Sequence, residues 1–181
     1  PYFSASKFRW LLKNTAGVTK LLKSGRVAAG TIDSYVIWKL SGGATHATDV
    51  SNASRTSLMS LKTLDWDRSM MELFQVPRSI LPEILPSSGV MGHTAGVPGL
   101  PDGIPIAGVA GDQQSALFGQ ACFDPGDAKC TFGTGSFILM NTGSEPLQSR
   151  SGLLTTVGWK LGKSGTPSYA LEGGAFICGA A

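Results

Sequence analysis

Charge is what this 181-residue chain has least of: Asp, Glu, Lys and Arg together make up 15 % of it, against about 25 % in ordinary soluble domains. A disordered, self-repelling tail is excluded, because 42 % of the residues are hydrophobic and a chain of this length can bury a sizeable core. Long apolar runs are missing as well. Gly, Asn or Ser interrupts the longest uncharged stretch, so none reads as a membrane span. Three cysteines (Cys122, Cys130, Cys178) and two histidines (His46, His93) form neither a C-x-x-C pair nor a structural zinc spacing. Reduced thiols in a cytoplasmic protein are the expectation, with no metal site. No G-x-x-x-x-G-K-[ST] loop occurs. No initiator Met, signal core or cleavage site stands at Pro1, so the sequence is expected to be a piece of a longer one.

The formal net charge of +3 is unevenly placed. Lys7, Arg9, Lys13, Lys20, Lys23 and Arg26 precede the first acid, Asp33, and acids outnumber bases thereafter. These cations lack interleaved stacking aromatics and alternate with Phe8, Leu11, Leu12, Leu21 and Leu22. A solvated helix face is therefore expected, and no nucleic-acid partner.

What the chain has in abundance is glycine, 24 residues, with 10 prolines. Low charge and many glycines suggest buried sheet joined by tight loops. Ser4 or Ser6 can cap a helix reaching Lys13, and a short helix is expected over Val18–Lys23. A third follows Thr31 and stops at Gly42-Gly43. Ser51–Ser54 reads as a helical turn before an extended Thr56–Met59. Asp65 or Asp67 caps a helix ending near Phe74, where Pro77 follows. Residues 87–105 read as a long surface loop. Ile104–Ala110 reads as a strand and Gln113–Phe123 as a helix. Strands are expected over Ala128–Phe132, Ser136–Met140 and Leu153–Trp159, with Gly133-Thr134-Gly135 at hairpin-turn length. Glu172-Gly173-Gly174 is expected to open a helix of small residues. Two α/β units joined near residues 112–124 follow from this order.

Asp112 falls where a strand ends and a helix begins, the position at which open α/β sheets receive ligands. A carboxylate there can face a cleft as a base, or can simply cap the helix. Gln113 and Gln114 offer amide groups to hydroxyls, although paired glutamines on a helix commonly face solvent. Gly133-Thr134-Gly135 can bring backbone N–H groups to phosphate oxygens, or can serve hairpin geometry alone. Gly179 can admit a nucleotide closely or allow helix packing.

The run Tyr2-Phe3-Ser4-Ala5-Ser6-Lys7-Phe8-Arg9-Trp10-Leu11-Leu12-Lys13-Asn14 resembles the first signature of the FGGY family of carbohydrate kinases. Gly30–Asp33, Ser51–Thr56, Leu64–Trp66 and Gly111–Gln120 are similar to the branch of that family acting on glycerol. Phe132–Gly135, Met140–Gly143, Gly152–Thr156 and Ala170–Gly173 continue the resemblance in the family's order, over essentially the whole chain. The resemblance implies a partial actin-like, ribonuclease-H-like ATPase fold. Residues 1–111 would end the first, polyol-binding domain, 112–123 would form a connecting helix, and 124–181 would begin the second, nucleotide-binding domain. It implies ATP-dependent phosphorylation of glycerol to sn-glycerol 3-phosphate, with Mg²⁺, no membrane span, and a homo-oligomer at full length. By motif position Tyr2, Asp112, Gln113 and Phe137 would contact glycerol, with Asp112 catalytic. Gly133, Thr134 and Gly179 would contact the nucleotide. A kinase for a pentulose or another polyol, and a non-enzymatic actin-like nucleotide switch, are the alternatives. Alone, the 181-residue piece is expected to be inactive.

Overall fold

The computed structural model describes residues 2–178. Its first half is helical. α1 (Ala5–Asn14) buries Ala5 and Phe8 and leaves its basic residues on the outer side. Ser4 occupies the N-cap position without a side-chain capping bond. α2 (Val18–Lys23) and α3 (Ile32–Leu40) follow where the caps and glycines place them. β1 (Ala47–Asp49) runs directly into α4 (Val50–Ala53) and a 3₁₀ turn, Ser54–Thr56.

The extended segment expected over Thr56–Met59 does not form. Thr56 Oγ1 donates to Ala53 O and accepts from Leu58 N, which holds a turn. Ser57 sits at φ 61°, and Met59 alone bridges to Trp66. The Trp66 indole is buried and donates to Pro82 O, tying this turn to the next strand.

α5 (Arg68–Phe74) begins at Asp67, whose Oδ1 accepts from Met70 N at 3.0 Å. Replacing Asp67 by Ala is expected to lower the stability of the full-length protein by about 1 kcal/mol, the usual worth of such a cap. Chemical denaturation checks it, and an unchanged midpoint would show that the cap contributes nothing.

β2 (Glu83–Leu85) pairs parallel with β1. The loop expected over 87–105 is in part a strand. β3 (Ser88–His93) lies antiparallel to β4 (Pro105–Gly108), and Thr94 N and Gly103 N extend the ladder. Ser and Gly are weak strand formers, but pairing with an apolar partner supplies what their side chains do not. Only residues 95–102 remain as loop between these bonds.

α6 (Asp112–Gly119) is shorter than expected. Ala121 turns left-handed at φ 58°, Ala121 N donates to Phe118 O, and Cys122 N donates to Leu117 O. That pair of bonds closes a helix C-terminus and turns Cys122 into the core.

β5 (Ala128–Phe132), β6 (Ser136–Gly143), β7 (Leu154–Lys160) and β8 (Pro167–Ala175) form an antiparallel sheet in the order β5-β6-β8-β7. Glu172, Gly173 and Gly174 continue β8, where a helix was expected to open. Gly174 pairs with Phe137, and a Cβ there would come within 2.9 Å of the Phe137 ring. The small residues make room for an aromatic, not for helix packing.

Leu117 of α6 packs with Leu139, Trp159 and Ala170 of this sheet. A larger core gathers Phe8, Val50, Leu58 and Trp66 of the helical half and takes in Val157 and Tyr169 from β7 and β8. The two halves therefore meet through both packing and hydrogen bonds, and the site lies at that meeting.

Candidate active site

The segment 49–56 joins the halves, and each polar residue in it has a distinct partner. Asp49 is fully buried and caps α4, accepting from Ser51 N, Asn52 N and Ser87 Oγ. Ser51 Oγ donates to Asp49 and accepts from Gly111 N at 2.8 Å, which fixes the entry to α6. Ser54 Oγ meets Thr156 Oγ1 and accepts from Val157 N on β7. Arg55 forms a two-point ion pair with Glu172 of β8, Nη2 to Oε1 at 2.9 Å and Nη1 to Oε2. Only 15 % of the Arg55 side chain and 3 % of Glu172 are exposed.

This joint floors a cleft of about 560 Å³, lined among others by Tyr2, Asp33, Asn52, Arg55, Asp112 and Gln113. Asp112 is exposed on its wall, in the first turn of α6. The N-cap is Gly111, and Asp112 Oδ1 accepts only from the N–H of its neighbour Gln113, at 2.8 Å. A helix-capping role would need bonds to amides one or two positions further on. Asp112 lines the cleft, and its other oxygen accepts no hydrogen bond among the described residues. A Cβ at Gly111 would lie 2.4 Å from Gln114 Oε1, so a larger residue there would displace the Gln114 amide. Gln114 is buried and donates to Thr156 Oγ1, so the paired glutamines do not both face solvent.

Gln113 is half-buried, and its Oε1 accepts from Lys129 Nζ on β5. Lys129 is itself only 2 % exposed and also donates to Thr131 Oγ1. Burial pushes its pKa below the usual 10.5, while the nearby Asp112 and Glu172 carboxylates act in the opposite direction. Tyr2 closes the other side of the cleft. Its ring stands over the Arg55 guanidinium at 5.2 Å and edge-on to Phe176 at 5.3 Å.

The motif residues are only partly assembled. Tyr2, Asp112 and Gln113 share the cleft. Phe137 stands one ring behind it, 5.8 Å from Phe176. Gly133 and Thr134 lie exposed at the β5–β6 turn and do not line this cleft; Gly133 N donates to Gly135 O, and Thr134 O accepts from Cys178 N. Gly179 lies outside the described residues.

Arg55, Asn52, Lys129 and Glu172 were assigned no role from the sequence. Lys129 gave no signal, because the alternation Ala-Lys-Cys-Thr-Phe reads as a strand with Lys and Thr facing solvent, whereas in the fold Lys129 is the buried one. A second cavity of about 530 Å³, lined largely by apolar groups including Phe8, Leu12 and Trp38, holds His46, whose Nε2 is engaged with Ala29 O. It offers no group poised for chemistry. Among the described residues, no cluster of three or more His, Cys, Asp or Glu side chains can hold a metal ion, and no helix is long and apolar enough to cross a membrane.

A profile described as "FGGY family of carbohydrate kinases, N-terminal domain" matches residues 1–119. Glycerol kinase of Bdellovibrio bacteriovorus is 58 % identical over 181 residues, covering all of this chain and 36 % of that protein. Glycerol kinase of Myxococcus xanthus is likewise 58 % identical over 181 residues, with the same coverage. The crystal structure of Plasmodium falciparum glycerol kinase with ADP matches with a TM-score of 0.90 at 44 % identity, over 96 % of this chain and 34 % of that one. Xylulose kinase from Rhodospirillum rubrum matches at TM-score 0.77 and 21 % identity, over 98 % of this chain and 35 % of that one, a likeness of fold alone. The chain thus spans about a third of the length of these relatives, and its α/β architecture is part of the actin-like, ribonuclease-H-like fold they share. Matched by the profile over most of its length and by the relatives over all of it, the chain belongs to the FGGY family of carbohydrate kinases.

Proposed function

We propose that the full-length protein carrying this chain transfers the γ-phosphoryl group of ATP to a terminal hydroxyl of glycerol, giving sn-glycerol 3-phosphate and ADP. The observation that carries this reading is the exposed, singly bonded Asp112 carboxylate beside Gln113 and Tyr2 in one cleft.

A primary alcohol is a weak nucleophile, so its proton must leave as the O–P bond forms. Asp112 accepts that proton. Gln113 and the Tyr2 phenol hold the remaining hydroxyls and limit the rotation of a small, flexible triol. Arg55, locked to Glu172 and stacked beneath Tyr2 and Phe3, keeps the cleft floor rigid. Gly133 and Thr134, at the β5–β6 turn, and Gly179 are assigned to the nucleotide by their motif positions. The stretches 1–111, 112–123 and 124–181 are read as the end of the polyol lobe, the connecting helix and the start of the nucleotide lobe.

Mg²⁺, where it accompanies ATP, would neutralise charge on the transferring phosphates. The cleft does not supply a ligand set for it. Asp33 and Asp112 are the carboxylates lining the cleft, Asp33 accepts from Thr31 and Thr48, and no third His, Cys, Asp or Glu among the described residues joins them. The ion would be carried by the nucleotide and by parts of the protein beyond this chain.

The test is ADP release by the full-length protein with glycerol, with D-xylulose and with no acceptor. Release that depends on glycerol supports the proposal. Preference for the pentulose would reassign the substrate, and equal release without any acceptor would point to a nucleotide switch.

A further inference from the structure

We propose that Lys129 is a positioning residue of the polyol cleft: by holding Gln113 Oε1 from the buried side, it presents the Gln113 NH₂ group to the substrate as a hydrogen-bond donor. The inference rests on the assignment of this cleft to glycerol.

The geometry allows one orientation of the amide. A lysine ammonium has donors only, whereas a glutamine side chain has an acceptor oxygen on one side and an NH₂ donor on the other. Contact between Lys129 Nζ and Gln113 therefore engages Oε1, as found. With Oε1 occupied, Gln113 meets a ligand through Nε2. Asp112, one residue earlier, is an acceptor. The two side chains thus offer an acceptor followed by a donor on one helical turn. That pair suits two adjacent oxygens of a polyol, one hydroxyl giving its proton to Asp112 and its neighbour accepting from Gln113. Without Lys129 the amide can flip and offer its oxygen, which would put two acceptors side by side.

The energetics argue that Lys129 is not present to stabilise the fold. It is among the largest fully buried side chains, on a strand whose neighbours Ala128 and Cys130 face outward. Burying an amine is costly, and replacing buried charge by an apolar group of similar volume is often neutral or stabilising. A role in orienting Gln113 accounts for its place.

The experiment uses the full-length protein and steady-state kinetics with glycerol and ATP varied separately. Lys129→Met, close in volume, is expected to raise the KM for glycerol about 5- to 30-fold, the effect of one misoriented hydrogen bond. The KM for ATP should stay within about twofold and the thermal midpoint should not fall. Gln113→Leu alone should raise the glycerol KM similarly, and adding Lys129→Met to it should change little more, because the lysine acts through the amide. Lys129→Gln keeps a donor and should fall between wild type and Lys129→Met, which provides a test if the methionine variant folds poorly. Unchanged glycerol KM in an active Lys129→Met or Lys129→Gln enzyme overturns the positioning role alone. So do additive effects with Gln113→Leu, or an equal rise in both KM values. A wild-type protein inactive on glycerol overturns the substrate assignment and this inference together.

Discussion

Asp112→Asn in the full-length enzyme is expected to lower kcat with glycerol by about 10²–10⁴-fold while leaving ATP binding nearly intact. The amide has the size of the carboxylate, and its oxygen can still accept from Gln113 N, so the start of α6 keeps its geometry. In the proposed reaction it cannot take up the proton that glycerol must lose. The substitution also separates the catalytic role from a capping one, because Asn caps helices about as well as Asp. The cap position belongs to Gly111, and Asp112 bonds to no amide deeper in the helix. Steady-state kinetics, calorimetric nucleotide binding and a thermal transition make up the measurement. Near-wild-type turnover would remove Asp112 from the base role, and a lost transition would mean that folding, not chemistry, had been measured.

Arg55→Leu is expected to cost about 3–5 kcal/mol of stability, the usual penalty for stranding one member of a buried ion pair. Glu172 would be left almost wholly buried without its partner, and Tyr2 and Phe3 would lose the cation beneath their rings. Replacing both members, as Arg55→Leu with Glu172→Leu, should recover a large part of the loss, since no uncompensated charge remains. Urea midpoints at unchanged slope give the comparison. A loss below about 1 kcal/mol in the single variant would show that water reaches Glu172 and that the pair behaves like a surface bridge.

Much of this architecture was legible because local chemistry decided it. The cap of α5 is written in Asp67 and the stops of α2 and α3 in the glycines that follow them, whereas Thr31 begins α3 without a side-chain capping bond. Two of the departures from that reading share a cause. Residues 88–93 become a strand only because β4 lies beside them, and Gly173 and Gly174 suit β8 because Leu153 and Phe137 fill the space their side chains would take. None of these partners is near in sequence. The site divides in the same way. Asp112 and Gln113 announce themselves at a strand–helix junction, and Tyr2 through its resemblance to a signature. The Arg55–Glu172 pair and the contact of Lys129 with Gln113 do not, because a cation in a sequence carries no mark of which distant carboxylate or amide it will meet. Phe137, placed near the polyol by its motif position, packs edge-on to Phe176 at 5.8 Å, and Phe176 in turn meets Tyr2 at 5.3 Å.

The joint at residues 49–56 also sets an order of events during synthesis. Arg55 and Glu172 are 117 residues apart, and Ser54 and Thr156 are 102 apart. At the ribosome's pace of about 5–20 residues per second, Glu172 emerges roughly 6–23 s after Arg55. Through that interval the cation has only the Tyr2 and Phe3 rings to rest against, and Ser54 waits for a strand that does not yet exist. The helical half must therefore hold itself together on Phe8, Leu58 and Trp66 before β7 and β8 arrive to complete its core. A nascent chain stalled before residue 156 would carry an open seam where the finished protein has its floor.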